Sequence, residues 1–213
     1  MDYTKIVLAS ASPRRKELLL QIGICPEVIV SHVVENVTSD VPSEVVMELA
    51  SLKAMDVAES CPAGTLVIGS DTVVAIDGKI LGKPGTHERA YEMISELAGR
   101  THQVYTGVCL VLKGAEKDRD RVKVFFDETD VEVCPMSEDE IREYAMSDDP
   151  MDKAGSYGVQ GFFARYIKGL HGSYANVMGL PVSRLYQEMK QLSGAEKTDG
   201  RKKDDRTEKK CHD

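Results

Sequence analysis

No apolar run in this 213-residue chain approaches the roughly 20 residues a helix needs to cross a bilayer. The opening MDYTKIVLAS carries an acidic side chain at position 2 and too short a hydrophobic stretch for a signal peptide. A soluble cytoplasmic protein, without a membrane partner, is the expectation. The five cysteines (Cys25, Cys61, Cys109, Cys134, Cys211) contain no CxxC pair, and the histidines do not cluster at ligand spacing. Neither a disulfide framework nor a structural zinc site is therefore expected. A basic surplus is missing too. A formal net charge of -8 argues against a binder of nucleic-acid polymers, but it permits a small polyanion wherever cations gather locally.

Hydrophobic residues make up 42% of the chain, enough to bury a core in one domain or in two small lobes around a cleft. No internal repeat is present. Ile6-Val7-Leu8-Ala9 reads as a short buried strand, and Ser12 with Pro13 as the start of a helix to about Gln21, stopped at Gly23. Residues 27–30 read as a second strand. The spacing of Val45, Val46, Leu49, Leu52 and Met55 predicts a helix, with Ser43 as its cap.

From Thr65 a strand of branched residues leads through Asp77-Gly78, a hairpin signal, into KILGK. A helix over residues 86–97 ends at Gly99. Two further strands, HQVYTGVCLVL and RVKVFFDETDVEV, flank a charged hairpin loop. Ser137 caps a helix opened by acidic residues that suit its dipole. Residues 152–179, rich in glycine and aromatics, read as loops and short strands. LPVSRLYQEMKQL closes the fold, so the domain spans residues 1–192, and residues 193–213 read as a disordered charged tail. The fold class is α/β, with helices packed around a mixed sheet.

Three places carry chemistry. In IVLASASPRRKELL, Arg14 and Arg15 occupy the first turn of a helix, where cations oppose the dipole and where backbone N–H groups favour phosphate. A bound polyphosphate would reverse that cost; two arginines meeting acidic neighbours would too. In VIGSDTVVAIDGKILGKP, Asp71 stands in an apolar strand, where a carboxylate needs a partner or a cation. Lys83 could return towards it from beyond the hairpin. Lys53 lies on the earlier helix, and Glu35 could help Asp71 hold a magnesium ion. In DKAGSYGVQG, glycines allow close approach to a flat ligand, and Gln160 offers the donor and acceptor a nucleobase edge requires.

LASASPRRKELL, IGSDTVV, GKP, DKAGSYGVQG and GSYANVMGLP occur in this order over about residues 5–192. Together they resemble the Maf family of nucleoside triphosphate pyrophosphatases, and SDT with AGSYGVQG resembles its dTTP/UTP branch. The segment between Ile167 and Ser173 is longer than in the shortest family versions. The resemblance implies a mixed twisted sheet of Maf/ITPase-like type, in two lobes around a central cleft, and it allows a homodimer. It implies Asp71 as proton acceptor, with Arg14, Thr72 and Gln160 at positions linked to substrate selection. Ser10, Arg15, Glu35, Lys53 and Lys83 match polar positions lining the cleft.

The reaction implied is attack of water on the α-phosphorus of a nucleoside triphosphate, with Mg²⁺ or Mn²⁺ as the divalent cofactor near Glu35 and Asp71. An ordinary aspartate, with a pKa of about 3.9, is a weak base near neutrality. Either the surroundings of residue 71 raise that value or a metal acidifies the water; the second is preferred. Two rival readings stand beside this one. The first is a nucleotide-binding regulator of cell division with little catalysis. The second is a house-cleaning enzyme acting on non-standard purine triphosphates.

Overall fold

The computed structural model of the protein describes residues 3–116 and 119–199, the last five by backbone alone. Seven strands form one mixed sheet: β1 (Lys5–Leu8), β2 (Glu27–Val28), β3 (Thr65–Ile76), β4 (Lys79–Leu81), β5 (Thr101–Leu112), β6 (Arg121–Val133) and β7 (Ile167–His171). The order is β2-β1-β3-β5-β6-β7, with β4 paired to β3. β1 lies parallel to both β2 and β3, whereas the pairs β3–β5, β5–β6 and β6–β7 are antiparallel. Residues 167–171, in the longer segment, thus form an edge strand registered on β6.

The helices are α1 (Pro13–Gln21), α2 (Pro42–Ala58), α3 (His87–Leu97), α4 (Glu138–Ala145), α5 (Tyr174–Val177) and α6 (Val182–Asp199). Their ends follow the local chemistry. Ser12 caps α1 by accepting from the Arg15 backbone N–H, with Pro13 in the first turn. Thr86 does the same for α3, and Ser137 with Glu140 forms a capping box on α4. The start of α2 corrects the expectation of a Ser43 cap. Val41 is the cap residue, without a side-chain bond, because Pro42 takes the first position and draws Ser43 into the helix.

The close of the fold differs as well. Helix α6 continues past residue 192 to Asp199, where Ser193 bonds the Met189 carbonyl one turn back. Ala195, Glu196 and Lys197 are good helix formers, which suits the extension. Residues 200–213, the rest of the expected tail, lie outside the described residues. Among the described residues no helix is long and apolar enough to cross a membrane.

Strand β3 organises everything that matters for the site. Its even-numbered residues face one side: Leu66 and Ile68 join a cluster with Leu18 and Leu19 of α1 and Leu185 of α6. Further along, Val74 and Ile76 join another with Ile94 of α3, Ile141 and Phe163. These two clusters are the cores of two lobes. The odd-numbered residues face α2, through Val67 at one end and Val73 at the other. Gly69 and Gly107 let that helix lie close, since a Cβ on either would run into the α2 backbone at Ala50 or Val46.

The two edges of β3 are unequal. β5 pairs with it continuously from Leu66 to Ala75. On the other edge β1 covers residues 65–68 and β4 covers residues 74–76. Residues 69–73 are left as a window without a strand partner, between the lobes. The window lies just beyond the carboxyl end of β1. There the chain order reverses, with β2 on one side of β1 and β3 on the other. Open α/β sheets accept ligands at such switch points.

Candidate active site

Asp71 stands in the middle of the window. Its side chain points to the α2 face, opposite Gly107 on β5, and there it meets Lys53. The ammonium of Lys53 lies 2.5 Å from Asp71 Oδ1 and 2.9 Å from Glu35 Oε1. Lys53 and Asp71 are mostly buried, with side chains 15% and 16% exposed, whereas Glu35 stands on an open loop. The loop is tied to α2 by Thr38, which bonds Glu48 through both its backbone N–H and its hydroxyl. A lysine thus occupies the space between the two carboxylates expected to hold a metal.

The fit to a divalent ion follows from that donor set. Among the described residues, no three His, Cys, Asp or Glu side chains gather into a ready-made cage. Mg²⁺ does not need one, since it is commonly bound by one or two carboxylates together with substrate phosphates. Asp71 and Glu35 are two such carboxylates, and here both are bonded to Lys53, which an ion would have to displace or join.

The other half of the site lies on the opposite face of β3, around Arg15. Its guanidinium donates to Ser10 Oγ at 3.0 Å, Thr72 Oγ1 at 3.1 Å and the Gly179 carbonyl at 2.8 Å. Burial lowers its pKa from the ordinary arginine value; the charges of Asp71 and Glu35 raise it, while that of Arg14 lowers it. Arg15 therefore feels both carboxylates although Thr72, its direct partner, points away from Asp71. The window joins the two faces.

Behind Arg15 runs a polar band that separates the two apolar cores. Thr72 shares a 2.9 Å hydrogen bond with Thr106, Thr106 donates to the Asn176 carbonyl, and Ser70 donates to the Gly179 carbonyl. Asn176, fully buried, donates to Val104 O and Thr129 Oγ1. Gly179 has a φ of 105° and lies so close that a Cβ would stand 3.4 Å from both Arg15 Nε and Thr72 Oγ1. Ser70, Thr106, Asn176 and Gly179 were not singled out from the sequence. A hydroxyl in the apolar strand HQVYTGVCLVL was the available signal for Thr106.

Arg14 leaves the first turn of α1 in the other direction and pairs with Asp152 at 3.6 Å. That contact ties the glycine-rich segment to the first turn of α1. The segment is a short turn, Ala154–Ser156, in which Gly155 and Ser156 both have positive φ. It is pinned by Gly155 N–H to the Gly82 carbonyl, by Ser156 to Met93 Sδ and by the Tyr157 hydroxyl to His102 Nε2 at 2.7 Å. Non-glycine residues hold such backbone only when their surroundings dictate it.

Two expected residues are not drawn into the cluster by contact. Lys83 is exposed, on chain that leaves β4 running back towards the window, and makes no hydrogen bond or ion pair among the described residues. Gln160 is exposed on the loop after the turn, and its amide makes none either. Both are free to meet a ligand. A separate open depression of about 770 Å³, lined by Val33, Met47, Leu52, Met55 and Val124, lies against the far side of the Glu35 loop. None of the candidate residues lines it, and its apolar walls do not suit a triphosphate.

The family described as Maf-like protein matches residues 5–192 of this chain. A dTTP/UTP pyrophosphatase of Agathobacter rectalis is 50% identical over 205 residues, covering 89% of this chain and 98% of that protein. One of Lachnoclostridium phytofermentans is 46% identical over 188 residues, covering 88% and 95%. Another, of Bacillus cereus, is 45% identical over 190 residues, covering 89% and 96%. Among solved structures, the Staphylococcus aureus Ham1 protein is a distant likeness, with a TM-score of 0.44 and 17% identity over 77% of this chain and 80% of that one.

Proposed function

The chain belongs to the Maf family, and on that premise we propose that it hydrolyses dTTP and UTP to the nucleoside monophosphate and pyrophosphate. The observation that carries the reading is one window in β3 with a held arginine on one side and a lysine-bridged pair of carboxylates on the other. Relatives at 45–50% identity bear the corresponding name.

Each residue has work in that reaction that its position suits. Arg14, Arg15 and the N-terminus of α1 hold the triphosphate, the arginines by paired and directional hydrogen bonds. Arg15 is held in advance by Ser10, Thr72 and Gly179, so little is lost in ordering it when the ligand arrives. Asp71 takes the proton from the water that attacks the α-phosphorus. Lys53 fixes the carboxylate and adds positive charge where the phosphate gathers negative charge. Lys83 supplies a further counter-charge from across the window. A divalent cation, Mg²⁺ or Mn²⁺ held by Glu35 and Asp71, would neutralise phosphate charge and lower the pKa of a bound water.

Gln160 and Thr72 select the base. Thymine and uracil present the same acceptor–donor–acceptor edge and differ by one methyl, a difference of about 1–3 kcal/mol in a pocket. Both are therefore substrates, together with related modified pyrimidines. The test is pyrophosphate release by the purified protein across common and modified nucleoside triphosphates, with and without Mg²⁺. Activity on dTTP and UTP that depends on the ion supports the reading. Equal rates on purine triphosphates, or no release at all, overturn it.

A further inference from the structure

The loop bearing Gln160 has no regular structure to hold it, yet an ionic core lies beneath it. Lys153 is only 15% exposed. Its ammonium donates to the Asp149 carbonyl at 2.5 Å and to Asp152 Oδ1 at 2.7 Å, and it lies 3.2 Å from Asp149 Oδ1. Two of the three donors an ammonium possesses are thus taken by hydrogen bonds, and the Asp149 carboxylate lies beside it as an ion pair. The other Asp149 oxygen accepts from the Tyr144 hydroxyl at 2.7 Å. Tyr144 is fully buried in the α4 core, so Asp149 is anchored.

The loop is wound around this pair. A Cβ on Gly158 would meet Lys153 Cε at 2.9 Å and the Gln160 carbonyl at 3.1 Å, and one on Gly161 would come within 3.9 Å of Asp149 Oδ1. Asp152 reaches the other way, to Arg14 in the first turn of α1. Partial burial would raise the Asp152 pKa, but the hydrogen bond and charge of Lys153, helped by Arg14, hold it below the ordinary aspartate value. One lysine thus stands under the base-reading loop and one contact away from the phosphate clamp.

We propose that Lys153 is a positioning residue for nucleotide selection, fixing the loop that presents Gln160 and linking it through Asp152 to Arg14. Its ammonium is mostly buried and already held by two hydrogen bonds and an ion pair, so it acts through the loop and not on the ligand. The inference rests on the reading of this protein as a pyrimidine triphosphate pyrophosphatase.

The experiment measures kcat and KM for dTTP, UTP and dGTP in the wild type and in Lys153→Met and Lys153→Arg, with a thermal melt of each. Lys153→Met is expected to lower the ratio of kcat/KM for dTTP over dGTP by about 10–100-fold, mainly through KM for dTTP. Lys153→Arg, which keeps the cation, recovers most of the ratio. Should Lys153→Met fail to fold, Asp152→Asn on an exposed side chain gives the second measurement, with a smaller loss in the same direction. A folded Lys153→Met with an unchanged ratio, an equal loss on every nucleotide, or an Asp152→Asn ratio equal to wild type overturns the inference alone. A wild type that releases no pyrophosphate from dTTP or UTP overturns the functional reading, and this inference with it.

Discussion

Lys53 on α2 and Asp71 on β3, 18 residues apart in sequence, meet through a 2.5 Å contact between ammonium and carboxylate. Glu35 closes the group at 2.9 Å from the same nitrogen. Removing the cation leaves two carboxylates facing one another without the charge that bridges them. Lys53→Met should therefore lower kcat/KM on dTTP by about 10²-fold, the scale on which misplaced reacting groups cost rate. Steady-state pyrophosphate release checks it, and a near-normal value would mean that Lys53 serves the fold alone.

Asp71→Asn keeps the shape of the side chain and removes its ability to take a proton. Turnover on dTTP should fall by roughly 10²–10⁴ if the carboxylate is the base. The variant should still bind, so KM for dTTP should move much less than kcat. Normal kcat in this variant would end the assignment.

Gly179 serves Arg15 twice, by its carbonyl and by having no side chain. Gly179→Ala would strain a backbone at φ 105° and crowd both Arg15 and Thr72. A cost of about 1–3 kcal/mol in stability is expected from the backbone alone, read by urea denaturation. KM for dTTP should rise as Arg15 is displaced. An unchanged KM would separate the glycine from the phosphate clamp.

His102 supplies a pH dependence. Fully buried against Tyr157, with no partner for Nδ1 among the described residues, it has a pKa lowered to about 4, chiefly by burial and partly offset by the charge of Asp130. The unfolded chain takes up this proton near pH 6.5 and the folded protein only near pH 4. The contribution is therefore fully present above about pH 6.5 and is lost as the pH falls towards 4, by about 3 kcal/mol in total. Urea denaturation at pH 7.5 and pH 4.5 should show a smaller loss in His102→Gln than in the wild type. Equal losses would contradict this.

Much of the fold was legible because local chemistry and tertiary demand agree. Ser12 and Ser137 cap the helices they were expected to cap, the helix expected from residue 86 starts there, and Asp77-Gly78 turns β3 into β4. Ser43 was misread because a proline before it outranks a good capping side chain. At the site, Arg15 and Asp71 stood out as charges in the wrong company, Lys53 and Glu35 were candidates only by position, and Thr72 came through the family resemblance. What stayed hidden depended on register. Nothing local says that Asp71 faces Gly107 while Thr72 faces Thr106, or that Gly179 returns beside Arg15. Lys153 was hidden by its own burial, since its partners Asp149 and Asp152 look like ordinary surface charges.

The position of the new oxygen tests the central claim most directly. Turnover of dTTP and UTP in H₂¹⁸O, followed by mass spectrometry, should place the label in the nucleoside monophosphate and none in pyrophosphate. Label in pyrophosphate, or orthophosphate as the first product, would contradict attack at the α-phosphorus beside Asp71.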